Sequence, residues 1–368
     1  MKLKILQENF YKALSNASRF SSVRAQLPVL GNILLKAGKG KLIISSTNLE
    51  VSLSTSIGAQ VEEEGEITVP ARAITEIVAN LAPGSLSLSS EKEQIRIESQ
   101  GSRLNVLGMN ASDFPPVPQK IESKGSLLIP KAPFQSALLQ VIFATSIDET
   151  RPVLTGVLAI FKKEGITLVA TDGFRLSQKK IALKGIGKNA QIVLPKGVLM
   201  EISKFAGEES EVLFLHKESE HQVSFGFADA VLSSRLLEGE FPNFEKIMPK
   251  ETVTKVNLDK EEFLRVIKLA SVFARDSANI VKLAINKNGV TVTAESSQSG
   301  NQKTELDAKV EGKDLEIAFN FRFLEDFLQT VKGESISVAF SNPNAPGVFT
   351  DPQDDAFIHL IMPVRIQA

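Results

Sequence analysis

The sequence repeats itself, and that limits the chain more than any local motif, because every copy must build the same supersecondary unit. Leu27-Pro28-Val29-Leu30-Gly31 returns as Arg151-Pro152-Val153-Leu154-Thr155-Gly156, with the two prolines 124 residues apart. Gly40-Lys41-Leu42-Ile43-Ile44, then Thr47-Asn48, matches Gly165-Ile166-Thr167-Leu168-Val169, then Thr171-Asp172. A weaker third copy, Gly289-Val290-Thr291-Val292-Thr293-Ala294-Glu295, begins another 124 residues on. Val69-Pro70, Leu194-Pro195 and Phe319-Asn320 each close a strand pattern and open a helical one. Phe114-Pro115 and Phe241-Pro242 close the first two copies, and Met248-Pro249 is echoed by Met362-Pro363. The period predicts three tandem units, about 1–120, 121–249 and 250–368.

Each copy has one grammar: a strand, an amphipathic helix, alternating strands, a second helix and more strands, which is an α+β fold class. Phe263, Ile267, Ala270 and Phe273 fall at helical spacing with Arg265 and Lys268 opposite them. Phe10, Leu14 and Ala17 do the same opposite Lys12 and Arg19. Runs such as Leu86-Ser87-Leu88 and Val212-Leu213-Phe214-Leu215 read as strands. Segments 115–124 and 242–250 carry the prolines and charges of linkers.

The formal charge of −1 rules out adhesion to nucleic acid by bulk positive charge, so any such surface must be built by local placement of cations. With no cysteine, disulfides, thiolate metal sites and cysteine nucleophiles are excluded. The opening Met1-Lys2-Leu3-Lys4-Ile5-Leu6 alternates like a strand and does not resemble a signal peptide, and no apolar run has the length of a membrane span. A cytoplasmic protein with no membrane partner is the expectation.

A catalytic constellation does not assemble from these residues, and neither a metal nor a cofactor is expected. His216 and His221 are five positions apart beside a strand pattern, off a common face and without a third ligand, and His359 is isolated. Gly38-Lys39-Gly40-Lys41 and Lys184-Gly185-Ile186-Gly187-Lys188 lack the glycine spacing and Lys-Ser/Thr pair of a phosphate loop, and read as hairpin turns. A nucleotide-processing enzyme survives only on those turns. A repeat scaffold that never touches DNA is the other alternative.

Cations recur where the second helix of each unit begins: Arg72 after Val69-Pro70, Lys196 after Leu194-Pro195, Arg322 after Phe319-Asn320. A cation there opposes the helix dipole at a cost of about 0.3–1 kcal/mol, so its threefold recurrence suggests a compensating contact with phosphate. Arg24, Lys12, Arg265 and Lys268 extend this candidate DNA-binding set. The middle unit departs from it, presenting Gln135, Ser136 and Gln140 on its first helix.

Over its whole length the chain resembles the bacterial DNA polymerase III beta subunits, the sliding clamps. The residues that carry the likeness are Leu27-Pro28-Val29-Leu30-Gly31-Asn32, Ala170-Thr171-Asp172-Gly173-Phe174-Arg175-Leu176, Phe241-Pro242-Asn243-Phe244 and Ile361-Met362-Pro363-Val364-Arg365. The resemblance implies a clamp fold, with two helices per unit packed on antiparallel sheets. It also implies a ring of six such domains, made by a head-to-tail homodimer around duplex DNA. Such a ring is non-catalytic, is loaded by an ATP-driven clamp loader, and tethers the polymerase III catalytic subunit, other polymerases and repair proteins. Partners of the family insert a short peptide into an apolar cleft. The matching positions are Thr171, Gly173, Phe174, Arg175, Leu176, Pro242, Ile247, Leu360 and Met362, with Arg151 and Lys246 at the rim.

For the dimer, the resemblance sets Arg103-Leu104-Asn105-Val106 of one chain against the third unit of another, near Val272 and Phe273. Three departures from the family pattern stand out. Phe174 replaces a common histidine, Pro152-Val153 stands where an aromatic pair is frequent, and Lys246 replaces an arginine. In addition, the segment from Glu295 to Glu305 has lost most of the acids that face the basic strand in relatives. An interface of strand pairing and apolar contact, with mild salt dependence, is therefore expected.

Overall fold

Among the described residues six strands run directly into helices, and hairpin strands end where alternation gives way to a glycine or polar turn. Lys39 and Gly40 both take positive φ, 51° and 74°, so Gly38-Lys39-Gly40-Lys41 is a tight hairpin turn. The computed structural model describes residues 1–22, 27–187, 189–205, 209–249 and 251–365.

The first repeat runs β1 (Lys2–Leu6), α1 (Gln7–Ser18), β2 (Asn32–Gly38), β3 (Lys41–Thr47), β4 (Val51–Gly58) and β5 (Gln60–Glu63). It continues through β6 (Gly65–Pro70), α2 (Ala71–Ala79), β7 (Ser85–Glu91), β8 (Gln94–Ser99) and β9 (Ser102–Leu107). The second runs β10 (Leu127–Pro130), α3 (Lys131–Ile142), β11 (Gly156–Lys162), β12 (Gly165–Thr171) and β13 (Arg175–Ala182). Then come β14 (Ala190–Pro195), α4 (Lys196–Lys204), β15 (Glu211–Lys217), β16 (Gln222–Gly226) and β17 (Ala230–Arg235). The third holds β18 (Thr254–Asp259), α5 (Lys260–Ala274), β19 (Ile280–Asn286), β20 (Gly289–Ser296), β21 (Gly300–Leu306) and β22 (Lys309–Gly312). It ends with β23 (Leu315–Asn320), α6 (Phe321–Thr330), β24 (Ser335–Phe340), β25 (Gly347–Asp351) and β26 (Asp354–Ile361).

One backbone bond opens the first helix of every copy. Gln7 N–H donates to Gly84 O (2.8 Å), Lys131 N–H to Ser210 O (2.8 Å) and Lys260 N–H to Glu334 O (2.9 Å). Helix α5 is also capped by its own side chains: Asp259 accepts from Glu262 N–H at 2.7 Å, and Glu261 and Glu262 favour the dipole.

The antiparallel sheets repeat too. Orders β4-β3-β2-β6, β13-β12-β11-β14 and β21-β20-β19-β23 are one pattern, and β9-β8-β7-β1-β5, β17-β16-β15-β10 and β26-β25-β24-β18-β22 are another. Patterns of successive repeats fuse edge to edge at β4·β17, giving an eight-stranded sheet, and at β13·β26, giving a nine-stranded one. Strands β9 and β21, of the same two edge types, have no such neighbour among the described residues.

Two compact units result, one of Met1–Ala132 with Phe205–Leu236, the other of Pro133–Lys204 with the chain from Leu237 onward. The second repeat contributes to both, so compactness does not follow the sequence period. In the second unit Phe263, Phe319, Phe327, Phe349 and Phe357 form the centre of the core, with Phe327 stacked on Phe357 at 5.9 Å. Each such ring contributes about 1.5–3 kcal/mol by burial. Among the described residues no helix is long and apolar enough to cross a membrane.

Candidate functional site

The chemistry gathers at the β13·β26 junction of the second unit. Asp172 Oδ1 accepts from the N–H groups of Phe174 (2.9 Å) and Arg175 (3.0 Å). Thr171 Oγ1 donates to Arg175 O (2.6 Å) and accepts from Gly173 N–H (3.1 Å). Gly173 sits at φ 91°, where a side chain would be strained. The turn thus holds Phe174 outward, 65% exposed. Met362 N–H donates to Phe174 O at 2.8 Å, and two pairs on Leu176 lies opposite Leu360.

Below these residues is a small apolar cluster separate from the main core. It contains Leu154, Leu158, Val169, Leu176, Val193, Phe241 and Leu360, with Val153, Phe244 and Met248 partly buried against it. Leu176 and Leu360 are fully buried and form its floor, whereas Phe174, Pro242, Ile247 and Met362 remain exposed. Arg151 precedes Val153 and Lys246 lies in the 3-10 turn Phe244–Ile247, both exposed, and they give the rim two cations. A leucine floor with loosely covered aromatic and thioether groups suits apolar anchors of a short peptide. Val153, Leu154, Phe241, Phe244 and Met248 were not singled out as cleft residues from sequence. The signal was present in the Leu30/Leu154 repeat and in Phe241-Pro242-Asn243-Phe244.

Arg175 has a different placement from the cleft surface that the resemblance implies. Its guanidinium donates to Asp172 Oδ2 (3.0 Å), Asp326 Oδ2 (2.5 Å) and Phe143 O (2.8 Å) and lies 4.6 Å from the Phe323 ring centroid. It therefore ties the second repeat to the third from the face of β13 opposite Leu176. Beside it, His359 is fully buried, with Nδ1 2.7 Å from Ser177 Oγ and its ring stacked on Phe327. Burial, helped by the Arg175 charge, lowers its pKa to about 3. Lys179 meets Asp354 across the same junction at 2.5 Å. Burial alone would raise the Asp354 carboxyl, but the bonds from Lys179 and Gln140 outweigh it and hold the pKa below the usual value.

His359 is enclosed, and His221 takes a left-handed turn conformation after β15. No group of three metal-ligating side chains occurs among the described residues.

The cations are spread over the helices. Lys12, Arg265, Lys268, Arg72 and Arg322 are exposed, and Lys196 is half-buried. The threefold match at the second helices is imperfect. Arg72 and Arg322 are second residues of α2 and α6, but Lys196 is the first of α4. Arg72 also bonds Glu76 at 2.8 Å, and Arg265 lies 3.4 Å from Glu262. Arg24 lies outside the described residues. Of the interface candidates, Arg103 and Val272 are exposed, Leu104 and Phe273 half-buried, and Val106 is buried in its own sheet.

Three family descriptions match consecutive stretches of the chain: DNA polymerase III beta subunit, N-terminal domain over residues 1–118, central domain over 128–243, and C-terminal domain over 245–365. The "Beta sliding clamp" of Staphylococcus aureus is 29% identical, with 99% of each chain covered. The DNA polymerase sliding clamp of Bacillus subtilis superposes with a TM-score of 0.95 at 27% identity, over the whole of both chains. The beta subunit from DNA polymerase of Streptococcus pyogenes gives 0.94 at 26%, again over both whole chains.

Proposed function

This chain belongs to the DNA polymerase III beta subunit family, and on that premise we propose that two copies close into a ring around duplex DNA. Its function is that of the family, a sliding clamp and non-catalytic processivity factor of polymerase III. Three clamp domains, about 1–120, 121–249 and 250–368, follow the repeat. A ring held by topology needs only weak, sequence-blind phosphate contacts. Scattered helix cations on a near-neutral chain therefore suffice, and strong attraction would hinder sliding. Arg72, Lys196, Arg322, Lys12, Arg265, Lys268 and Arg24 are the residues we assign to that surface.

The observation that carries the tethering role is the partly covered leucine cluster at β13·β26, rimmed by Phe174, Ile247 and Met362. We assign it to the clamp-binding peptide of the polymerase catalytic subunit, of the ATP-driven loader and of other polymerases and repair proteins. Met362→Ala weakens a partner peptide by at least about 1 kcal/mol in a fluorescence titration. Arg24→Ala instead reduces loading on circular DNA and leaves peptide affinity alone. Equal losses in both assays would undo this division of the surface.

Internal equivalence supports the dimer contact. Lys131 and Lys260 open α3 and α5 with the same bond, so Gln140 and Phe143 correspond to Leu269 and Val272. Gln140 is buried and Phe143 packs on His359 at a filled junction, yet Leu269 and Val272 are 49% and 54% exposed. A second copy bringing β9 against β21 would cover Leu269, Val272 and Phe273 with Arg103, Leu104 and the rest of that edge. Light scattering across a dilution series then gives twice 40.0 kDa.

A further inference from the structure

Three equal repeats joined by two junctions leave one edge of each type unused, and the registers of the used edges fix how the unused ones must meet. At the two junctions Ser52 faces Ser233 and Leu176 faces Leu360. The hairpins carry these positions to the free edges. On one side Thr47–Ser52, Thr171–Leu176 and Glu295–Asn301 are equivalent hairpin pairs, so Asn301 stands where Ser52 and Leu176 stand. On the other, Gln222–Arg235 and Gln94–Leu107 are equivalent, so Asn105 stands where Ser233 stands. Asn105 of one copy therefore faces Asn301 of the next, and two residues away on the same face Arg103 meets Lys303.

We propose that the seam between two copies sets Arg103 directly opposite Lys303, a pair of like charges that makes the seam the weakest joint of the ring. This rests on the ring reading and adds its register and its charge. The equivalent pairs inside the chain are Val231 with Ser54 and Ile358 with Gln178, neither of which repels. Opposed like charges on neighbouring strands destabilise the pairing. Both side chains are well exposed, at 85% and 65%, and each has a carboxylate of its own copy nearby, Glu98 at 3.6 Å and Glu305 at 3.4 Å. Arg96 on β8 lies on the same side as Arg103, and Glu295, Lys282 and Asp276 lie near the other edge. The own-copy carboxylates offset the repulsion only partly, and dissolved salt screens the remainder, so the seam tightens as ionic strength rises from low to moderate.

The chain has no cysteine, so engineered pairs can be read cleanly. In the full-length protein, N105C/N301C gives a covalent dimer under mild oxidation, and the off-register control N105C/K303C gives little. Sedimentation of K303E shows a dissociation constant lower by about tenfold, since two seams each change from like to opposite charge. R103E tightens the dimer similarly, and R103E/K303E returns it toward the parent. Far-UV circular dichroism checks that each variant is folded. A dimer that cross-links through the control pair, or that K303E loosens, overturns the register while leaving the ring standing. A mass of 40.0 kDa for parent and variants at every concentration overturns both.

Discussion

The two internal junctions share a backbone and exchange their chemistry. At β4·β17, Asn48 accepts from Glu50 and Val51 N–H (3.0 and 2.8 Å), and Arg235 N–H donates to Glu50 O (2.9 Å). At β13·β26, Asp172 and Met362 do the same for Phe174 and Arg175. Around that common frame, one face carries Ser52–Ser233 in the first unit and Leu176–Leu360 in the second. The other face carries Leu53–Leu232 in the first and Ser177–His359 in the second. Polar and apolar pairs have changed sides. The exposed ends follow, Glu50 and Arg235 against Phe174 and Met362. Strand pairing therefore fixes where a groove can form, and the face that carries the leucines fixes which junction offers an apolar floor.

The largest test of this exchange is pH. His359 is neutral in the folded chain with a pKa near 3, whereas the unfolded chain titrates near 6.5. Below pH 6.5 the unfolded state takes up a proton that the folded state refuses, so stability falls as pH drops from 6.5 toward 3, by up to about 5 kcal/mol. Urea unfolding of His359→Leu, which gives this position the residue that Leu232 supplies in the first unit, loses this part of the pH dependence. An unchanged profile would show that the two polar faces are not distinguished by His359.

Arg175→Ala comes next. It leaves Asp172 and Asp326 without their buried partner and costs about 3–5 kcal/mol in the same assay. The equivalent Val51→Ala costs about 1 kcal/mol, the common cost of a point change. Leu176→Ser, which gives the second junction the residue of the first, costs about 3 kcal/mol by loss of apolar burial. The smallest effect at the second junction is on binding. Phe174→Glu weakens a partner peptide by about 1–2 kcal/mol, while Glu50→Phe in the first unit creates no comparable affinity, because Ser52 and Ser233 offer no apolar floor. A peptide that bound the Glu50→Phe junction as well would break the comparison.

How much of this was legible beforehand depends on distance along the chain. The repeat, the helix starts at Pro70, Pro195 and Asn320, and the turn at Gly38-Lys39-Gly40-Lys41 are local patterns and could be read directly. The family's cleft motif pointed to Phe174 and Met362, but not to the fact that Arg175 turns inward to an aspartate 151 positions away. A one-dimensional pattern gives the face of a strand without its neighbour, so Val106 could not be distinguished as buried from the exposed Leu107 beside it. The same limit hid the exchange of faces. Ser52 and Leu176 were visible as unlike residues at equal positions, but their opposites, Ser233 and Leu360, become partners only when strands of different repeats meet.

The two unlike edges, β9 and β21, have a consequence for the state of the protein in solution. A molecule whose one edge accepts the other edge of its neighbour can grow without limit, and only the angle turned at each joint separates a closed ring from a fibre. Closure consumes both edges at once and leaves no template for further strands to add to. In the proposed ring, the joint that would open for loading is then also the one whose incomplete closure would cost solubility.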